Sequence, residues 1–307
     1  MSPIQYQILI MFIIMAVGFI CGKVKLITPE VNRGLSNLAL MLVNPLTTFT
    51  SYQTAYSNEI ALNLLFAFVL AIIAFALQIP LSMLIIKKSR KEYRIERLSI
   101  LLSNCSYIGI PLVQSMYGNE GIIYLTAFVT VFHLVTWTYG LSLMSGETDV
   151  KKMLRNMISP ALIAVVLGAF CFFIGIRLPE IVVIPMKRIA DMNTPVAMLI
   201  AGSTLSQTNI RKALTRVSTF VICALKLLVL PICVLLVVSN AQKFGVPSNI
   251  INIVVIALSC PTATIITMFS HRFKKNSVYA SEIFTVCTLF SVITIPFVLY
   301  LGTLLGL

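Results

Sequence analysis

The stretch from Glu59 to Ile86, EIALNLLFAFVLAIIAFALQIPLSMLII, carries a single charged residue, at its first position. The hydrocarbon core of a bilayer is about 30 Å thick, and roughly 20 helical residues cross it. An open chain satisfies its backbone hydrogen bonds in lipid only as a helix. This stretch therefore predicts a transmembrane helix.

The same apolar pattern extends outward in both directions along the chain. Hydrophobic residues make up 58% of the 307 positions and charged residues 11%, whereas about 25% of an average soluble domain is charged. The sequence therefore predicts an all-α integral membrane protein with ten transmembrane helices, five in residues 1–145 and five in residues 157–307, joined by a cytoplasmic connection at 146–156. The ten predicted spans are Ile4–Gly22, Leu35–Tyr52, Glu59–Ile86, Leu98–Tyr117, Gly121–Met144, Met157–Ile176, Lys187–Ser206, Thr215–Ser239, Asn249–Ser270 and Ala280–Leu305.

The basic residues predict how these helices are oriented. Loops after odd-numbered helices hold 18 Lys and Arg residues and the opposite loops hold four. This bias places the odd loops in the cytoplasm and both termini outside the cell, in a plasma-membrane protein surrounded by lipid. The net charge of +13 does not indicate nucleic-acid binding, because the basic residues are scattered through short loops. The seven cysteines fall in or beside apolar spans, which argues against disulfides.

The two halves share residues at an offset of 150. Pro29-Glu30 recurs as Pro179-Glu180, Pro45 as Pro195, Pro111 as Pro261 and Gly18 as Gly168. Five helices cross the membrane an odd number of times, so a second copy enters from the opposite side. The sequence therefore predicts two inverted five-helix repeats, as in many secondary transporters. The alternative is a duplication without a transport role.

Two predicted helices are interrupted near mid-span by small and polar residues beside a proline. Helix four reads LLSNCSYIGIPL from Leu101 to Leu112, and helix nine reads ALSCPTAT from Ala257 to Thr264. Each proline removes a backbone donor, and Gly109 permits the dihedral angles of a break. Irregular backbone at this depth must be buried in protein or line a watery cavity. The alternative is a pair of kinks without a ligand.

A helix that restarts after a break presents unpaired N–H groups with partial positive charge. We expect the N–H groups of Leu112, Val113, Thr262 and Ala263 to attract an anion such as a carboxylate. Asn104 is expected to supply the main side-chain contact. The predicted substrate site comprises Ser103, Asn104, Gly109, Pro111, Leu112, Ser259, Pro261, Thr262 and Thr264, with Ser106 as a further polar contact.

Ionisable residues within apolar spans are functional candidates, because a charge in the membrane is costly. Asp191, Lys226 and His133 qualify as coupling or charge-pair residues. Lys226 is expected either to pair with an acidic group or bound anion, or to be a structural lysine. His133 is either a proton relay or a hydrogen-bonded structural histidine.

The sequence from Asn104 to Leu112, in which Gly-Ile-Pro-Leu begins five residues after the asparagine, resembles the auxin efflux carrier family of membrane transporters. Bacterial members of that family include malate and malonate permeases. Two further stretches are similar to the family's patterns for helices seven and ten, and the likeness covers essentially the whole chain. They are Pro195–Gly202, and Thr288-Leu289-Phe290-Ser291 with Pro296.

The resemblance implies a scaffold of helices 1, 2, 6 and 7 and a transport domain of helices 3–5 and 8–10. It also implies that helices four and nine cross at the substrate site, that Asn104, Pro111 and Pro261 belong to it, and that an elevator-type displacement carries the substrate. Ser259-Cys260 before Pro261 differs from the plant carriers, which argues against auxin itself.

The predicted function is secondary transport of a small organic anion, such as a malate-like dicarboxylate. The alternatives are a sodium-coupled bile-acid-type carrier and a non-transporting membrane sensor. Catalysis is not expected, because no nucleophile and base or metal-ligand pattern occurs in the spans. No cofactor or metal is expected. The choice of anion, coupling to protons, sodium or voltage, the direction of transport, and a homodimeric or other oligomeric state are left open.

Overall fold

A computed structural model describes residues 3–146, 160–208 and 210–307, so most of the predicted connection at 146–156 lies outside the described residues. The described chain is helical, and its only β-type pairing is an isolated bridge between Ser103 and Thr262. The α-helices are α1 Pro3–Lys23, α2 Pro29–Leu38, α3 Asn44–Ser51, α4 Asn58–Ile85, α5 Tyr93–Leu101, α6 Ile110–Val135, α7 Leu141–Ser145, α8 Pro160–Ile174, α9 Glu180–Ala190, α10 Asn193–Gln207, α11 Ile210–Thr215, α12 Val217–Ala224, α13 Leu230–Val238, α14 Ser248–Ser259, α15 Ile265–Arg272 and α16 Ser277–Leu304.

The helices have the length and surface of a multi-pass membrane protein. Within the described residues, four helical stretches are long and apolar enough to cross a membrane, at 58–85, 105–145, 217–244 and 277–304. Shorter apolar helices lie at 9–23, 160–174 and 248–259. Large apolar side chains such as Leu65, Phe170 and Ile293 are exposed on the outside of the bundle. Lipid accommodates such a surface, whereas water would not.

Three π-helical turns precede prolines in the described chain. The turns Ala39–Val43, Cys105–Gly109 and Leu225–Val229 are each followed two residues later by a proline, namely Pro45, Pro111 or Pro231. A proline ring clashes with the carbonyl four residues earlier in a regular α-helix. A wide turn shifts that carbonyl and lets the helix continue without a break.

The chain reverses direction at Gly118, between the predicted helices four and five. Gly118 has a φ of 64° and a ψ of −159° inside α6, which no regular helix allows. A Cβ built on Gly121 would lie 2.9 Å from the side chain of Val113. Eight residues along a straight helix would hold these positions about 12 Å apart. The stretch 105–145, which includes α6, therefore contains two helical segments that meet at Gly118 and correspond to the predicted spans four and five.

The predicted helix seven differs from the structure. Residues 180–207 form α9 and α10, separated by a turn at Asp191 and Met192. Asp191 caps the end of α9 and is exposed. Asp191 therefore lies in an exposed turn between two helices, where its charge remains accessible, and not inside one continuous helix as expected.

The helices pack in two groups, each held together by its own helix–helix contacts. In the first group, α1 runs along α10, and α3 packs on α8 and α9. Glycines permit the close approach: a Cβ on Gly18 would lie 2.6 Å from the Leu199 carbonyl oxygen, and one on Gly168 would lie 2.7 Å from the Tyr52 ring. In the second group, α4 and α14 pack on α6, while α12, α14 and α15 pack on α16.

A partly buried polar network, in which the acids are buried and the arginines exposed, fixes one end of the second group. Arg90 donates two hydrogen bonds to Glu96, at 2.5 and 2.8 Å, and this pairing raises the pKa of the Arg90 guanidinium. The Tyr279 hydroxyl donates to Glu96 Oε1 at 3.0 Å, the oxygen that also accepts from Arg90 Nη2. Arg216 stacks over the Tyr279 ring and pairs with buried Glu282 at 2.9 Å. The network ties α5 to α16 beside the broken helices.

Candidate functional site

The two predicted interruptions meet at the centre of the second group of helices. The chain is non-helical at 102–104 and again at 260–264. The Asn104 N–H donates to the Pro261 carbonyl at 2.7 Å, and the Ala263 N–H donates to the Leu102 carbonyl at 2.9 Å. These bonds form an antiparallel pair centred on Ser103 and Thr262. The unwound segments therefore satisfy each other's backbone, as apolar surroundings require.

Side chains of the crossing cap the helices that end there. Ser103 Oγ donates to the Leu258 carbonyl of α14 at 3.2 Å, and Thr262 Oγ1 donates to the Ser99 carbonyl of α5 at 2.9 Å. Carbonyls in the last turn of a helix lack intrahelical partners. Each broken segment thus supplies a hydroxyl to the end of the opposite helix.

The crossing has two electrostatic sides. α5 and α14 end at it, so their carbonyl ends carry partial negative charge. The helical segments that begin at Cys105 and Ile265 leave it, so their amide ends carry partial positive charge. The arrangement favours a cation on the first side and an anion on the second.

The structure corrects the predicted position of the first break. Gly109 has helical angles, φ −69° and ψ −45°, and Ile110 N–H donates to the Cys105 carbonyl within the π turn. Pro111 lies near the start of α6, and Leu112 and Val113 lie inside it. The expectations that Gly109 opens the helix and that Leu112 and Val113 begin a half-helix are therefore wrong, because the π turn accommodates the proline.

The Ala263 N–H was also expected to be free for an anion, and this is wrong because it pairs with Leu102. Pro261 immediately precedes Thr262, the partner of Ser103, whereas Pro111 lies well beyond Ser103 in the next helix. The two prolines are therefore not equivalent at the crossing. Ser103 and Thr262, which pair at the crossing, are 159 positions apart, whereas the repeated residues of the two halves are 150 positions apart.

Lys226 enters the carbonyl side of the crossing from the π turn Leu225–Val229. Its side chain is 1% exposed. Its Nζ donates to Ser103 Oγ at 2.5 Å and to the Leu258 carbonyl at 3.2 Å. The expected acidic partner is not found among the described residues, so Lys226 is held by neutral oxygens.

A cavity of about 340 Å³ adjoins the crossing. From the broken segments it is lined by Ser103, Asn104, Ala263 and Thr264. Most of the remaining wall is apolar or aromatic, and Arg272 contributes the one cation among the described lining residues. Those remaining wall residues include Leu40, Met41, Tyr107, Phe132, Trp137, Pro160, Ala161, Met268 and Phe269.

Two ring nitrogens of the cavity wall are not engaged within the described protein. The buried ring nitrogens His133 Nδ1 and Trp137 Nε1 have no hydrogen-bond partner among the described residues, and both side chains belong to the cavity wall. His133 and Trp137 are four residues apart, so they project from the same helical face. Both interpretations of His133, a proton relay and a hydrogen-bonded structural histidine, stay predictions, since the missing partner concerns only Nδ1.

The predicted site residues fall into two sets. Ser103, Asn104, Thr264 and His133 line the cavity, together with Ser106. Ser259, Pro261, Thr262 and Lys226 are buried in or behind the crossing, and Gly109, Pro111 and Leu112 are buried in the first helical turns after it. The sequence reasoning missed the aromatic wall and Arg272. The four-residue spacing of His133 and Trp137, which places both on one helical face, could have predicted part of the aromatic wall.

A family model described as "membrane transport protein" matches residues 3–153 and residues 148–299, which together cover most of the chain. No curated protein matches the sequence.

Proposed function

The chain belongs to this family of membrane transport proteins, and on that premise we propose that it is a secondary transporter of a small organic anion, with its substrate site at the crossing of the two broken helices. The observation that carries the proposal is the antiparallel pairing of Asn104 with Pro261 and of Ala263 with Leu102 beside the cavity. Unwound backbone inside a membrane bundle is typical of transporter binding sites.

The helix packing supports an alternating-access mechanism. The first group, α1, α2, α3 and α8–α10, would be the scaffold, and the second group would be the transport domain that moves in an elevator-type displacement. Gly18 packs on Leu199 of α10, while Gly168 of α8 packs on Tyr52, which caps the end of α3. The first helix of each proposed five-helix repeat thus packs on the second helix of the other, which favours two inverted repeats with ten membrane crossings.

The walls of the cavity favour one substrate class. Polar groups gather at Asn104, Thr264 and His133, while Tyr107, Phe132, Trp137 and Phe269 form an aromatic wall. A carboxylate would face the amide side of the crossing, and an apolar body would lie against the rings. A monocarboxylate with an apolar body fits this distribution better than a malate-like dicarboxylate, whose second charge would find one cation, Arg272 at the exposed edge, among the described lining residues.

The cavity lies on the side where the basic loops join the helices. Pro160 begins α8 and Arg272 ends α15, and both line the cavity. The distribution of Lys and Arg favours a cytoplasmic location for this side. The structure would then represent an inward-facing state of a plasma-membrane transporter whose termini are extracellular.

Uptake into proteoliposomes tests the proposal. We would measure labelled malate and malonate, as dicarboxylates, and benzoate and phenylacetate, as aromatic monocarboxylates, under sodium, proton and voltage gradients. We expect saturable uptake of at least one aromatic monocarboxylate and weaker uptake of malate. Uptake of malate alone would contradict the substrate class. Binding of a probe without uptake would contradict the transport function and favour a membrane sensor.

A further inference from the structure

Lys226 is a buried cation without a carboxylate partner among the described residues. The buried acids at one end of the second group, Glu96 and Glu282, pair with Arg90 and Arg216. An isolated ammonium is costly to bury, so its surroundings must compensate for lost hydration. In this protein the compensation comes from oxygen atoms at helix ends.

The two oxygens that hold Lys226 Nζ have the chemistry of a ligand set for a small cation. Leu258 contributes a carbonyl from the last turn of α14, at 3.2 Å, and Ser103 contributes a hydroxyl oxygen from the broken segment, at 2.5 Å. The hydroxyl proton of Ser103 goes to the same carbonyl. Both oxygens therefore accept from Lys226, at the negative ends of two helix dipoles.

In transporters with discontinuous helices, unwound carbonyls and the C-terminal ends of half-helices coordinate the coupling sodium ion. Hard cations of this kind prefer oxygen ligands. The Lys226 ammonium stands among such ligands, and the π turn Leu225–Val229 places it there. π turns occur often at functional positions.

We propose that Lys226 is a tethered cation that takes the place of a free sodium ion at the helix crossing, so that the protein needs no sodium to organise its anion site. Lys226 does not line the cavity, but Ser103 does. Lys226 is therefore a positioning residue that acts through Ser103 and the end of α14. Its consequence for transport rests on the proposed transport function, whereas its consequence for cation binding does not.

The first test is thermal unfolding of the purified full-length protein in sodium chloride, methylammonium chloride or choline chloride at equal ionic strength. We expect the wild-type midpoint to be the same in all three salts. Lys226→Ala vacates the space among the oxygens, so sodium and methylammonium should raise its midpoint above the choline value by about 2 °C or more. Choline has no N–H donor and a bulky head group, and it should not bind there.

Two variants control this measurement. Lys226→Gln fills the space with a neutral hydrogen-bond donor, and its unfolding midpoint should be the same in the three salts. Lys243→Ala removes an exposed lysine that contacts Asn240 and should also behave like the wild type. A Lys226→Ala midpoint that is equal in the three salts would overturn the proposal. Stabilisation of the wild type by sodium over choline would overturn it as well, and that result needs no variant to fold.

The second test is uptake of the most strongly transported probe from the carboxylate panel. Replacing sodium by choline should leave wild-type uptake unchanged. The uptake rate of Lys226→Ala and of Lys226→Gln should each fall about tenfold or more, the scale of a hydrogen bond to a charged group. Methylammonium should restore the uptake rate of Lys226→Ala but not that of Lys226→Gln. Wild-type rates in Lys226→Gln would show that the charge is not needed and refute the proposal. Absence of uptake in every protein would refute the transport function alone, since the unfolding test would still decide the role of Lys226.

Discussion

Gly202→Ala is expected to separate the two helices of the proposed scaffold that pack most closely. Gly202 lies in α10 against α1. A Cβ at this position would lie 1.9 Å from the Met15 carbonyl oxygen and 2.6 Å from the Phe19 backbone nitrogen. Both neighbours are backbone atoms, so no side-chain rotation can relieve the clash.

The size of the effect follows from these distances. Ordinary contact for a Cβ begins at 3.4 Å, so α1 and α10 must move apart by about 1.5 Å at this point. Overpacking of a well-packed interface costs about 1–3 kcal/mol. We expect the upper end of this range, because a rigid helix transmits the displacement to its neighbours. The better helix propensity of alanine, worth about 1 kcal/mol, offsets only part of it.

Gly34→Ala is the matched control. Gly34 is helical in α2, and a Cβ there would meet nothing within 4 Å. This variant should be as stable as the wild type or slightly more stable, since it gains helix propensity without a clash. Thermal unfolding in detergent should show a midpoint several degrees lower for Gly202→Ala, at about 2–4 °C per kcal/mol. Equal midpoints for the two alanine variants would refute the close packing of α1 on α10.

The remaining predictions concern the crossing and its cavity. Asn104→Ala should weaken the apparent affinity for the transported carboxylate about tenfold or more, since it removes a group that would hydrogen-bond to a charged ligand. The control Asn119→Ala, at an exposed position, should leave the uptake kinetics unchanged. Equal uptake kinetics in the two variants would count against the site. Thr262→Val should destabilise the protein by about 1–3 kcal/mol in thermal unfolding, because it leaves the buried Ser99 carbonyl without its hydroxyl donor, whereas Thr294→Val, at a partly exposed position, should change stability little. Pro261→Ala should alter uptake while the protein still inserts in the membrane, because a new N–H lets α14 continue past Ser259; a wild-type rate in that variant would argue against a role for the break.

Much of the fold could be predicted from the sequence because membrane insertion depends on local composition. An apolar run such as Glu59–Ile86 must be helical in lipid whatever its neighbours are, and the structure confirms a helix at Asn58–Ile85. The family resemblance, drawn from short motifs such as that around Asn104, is confirmed at the level of a membrane transport family. The assignment of Asn104 as a substrate contact stays a prediction, although its amide lines the cavity.

The position of the first break could not be predicted from its proline. Pro111 was expected to open the helix, but a π turn absorbs its missing donor and the chain stays helical. The break occurs at 102–104 instead, where Leu102 and Asn104 find backbone partners on the other broken helix. Whether a backbone group can leave its helix depends on such a partner, and a partner some 160 positions away is a property of the tertiary structure.

The sequence by itself determined the class of the protein, its apolar spans and the chemical types of residue near the site, because these follow from composition and local pattern. Only the tertiary structure decided which groups meet. The sequence showed Lys226 as a lysine within an apolar span and did not decide its role. Its contacts with Ser103 and Leu258 depend on how three separate helices pack together. The physical reason is that hydrogen bonds and charge compensation in a low-dielectric interior depend on distances of a few ångströms, which separation along the chain does not fix.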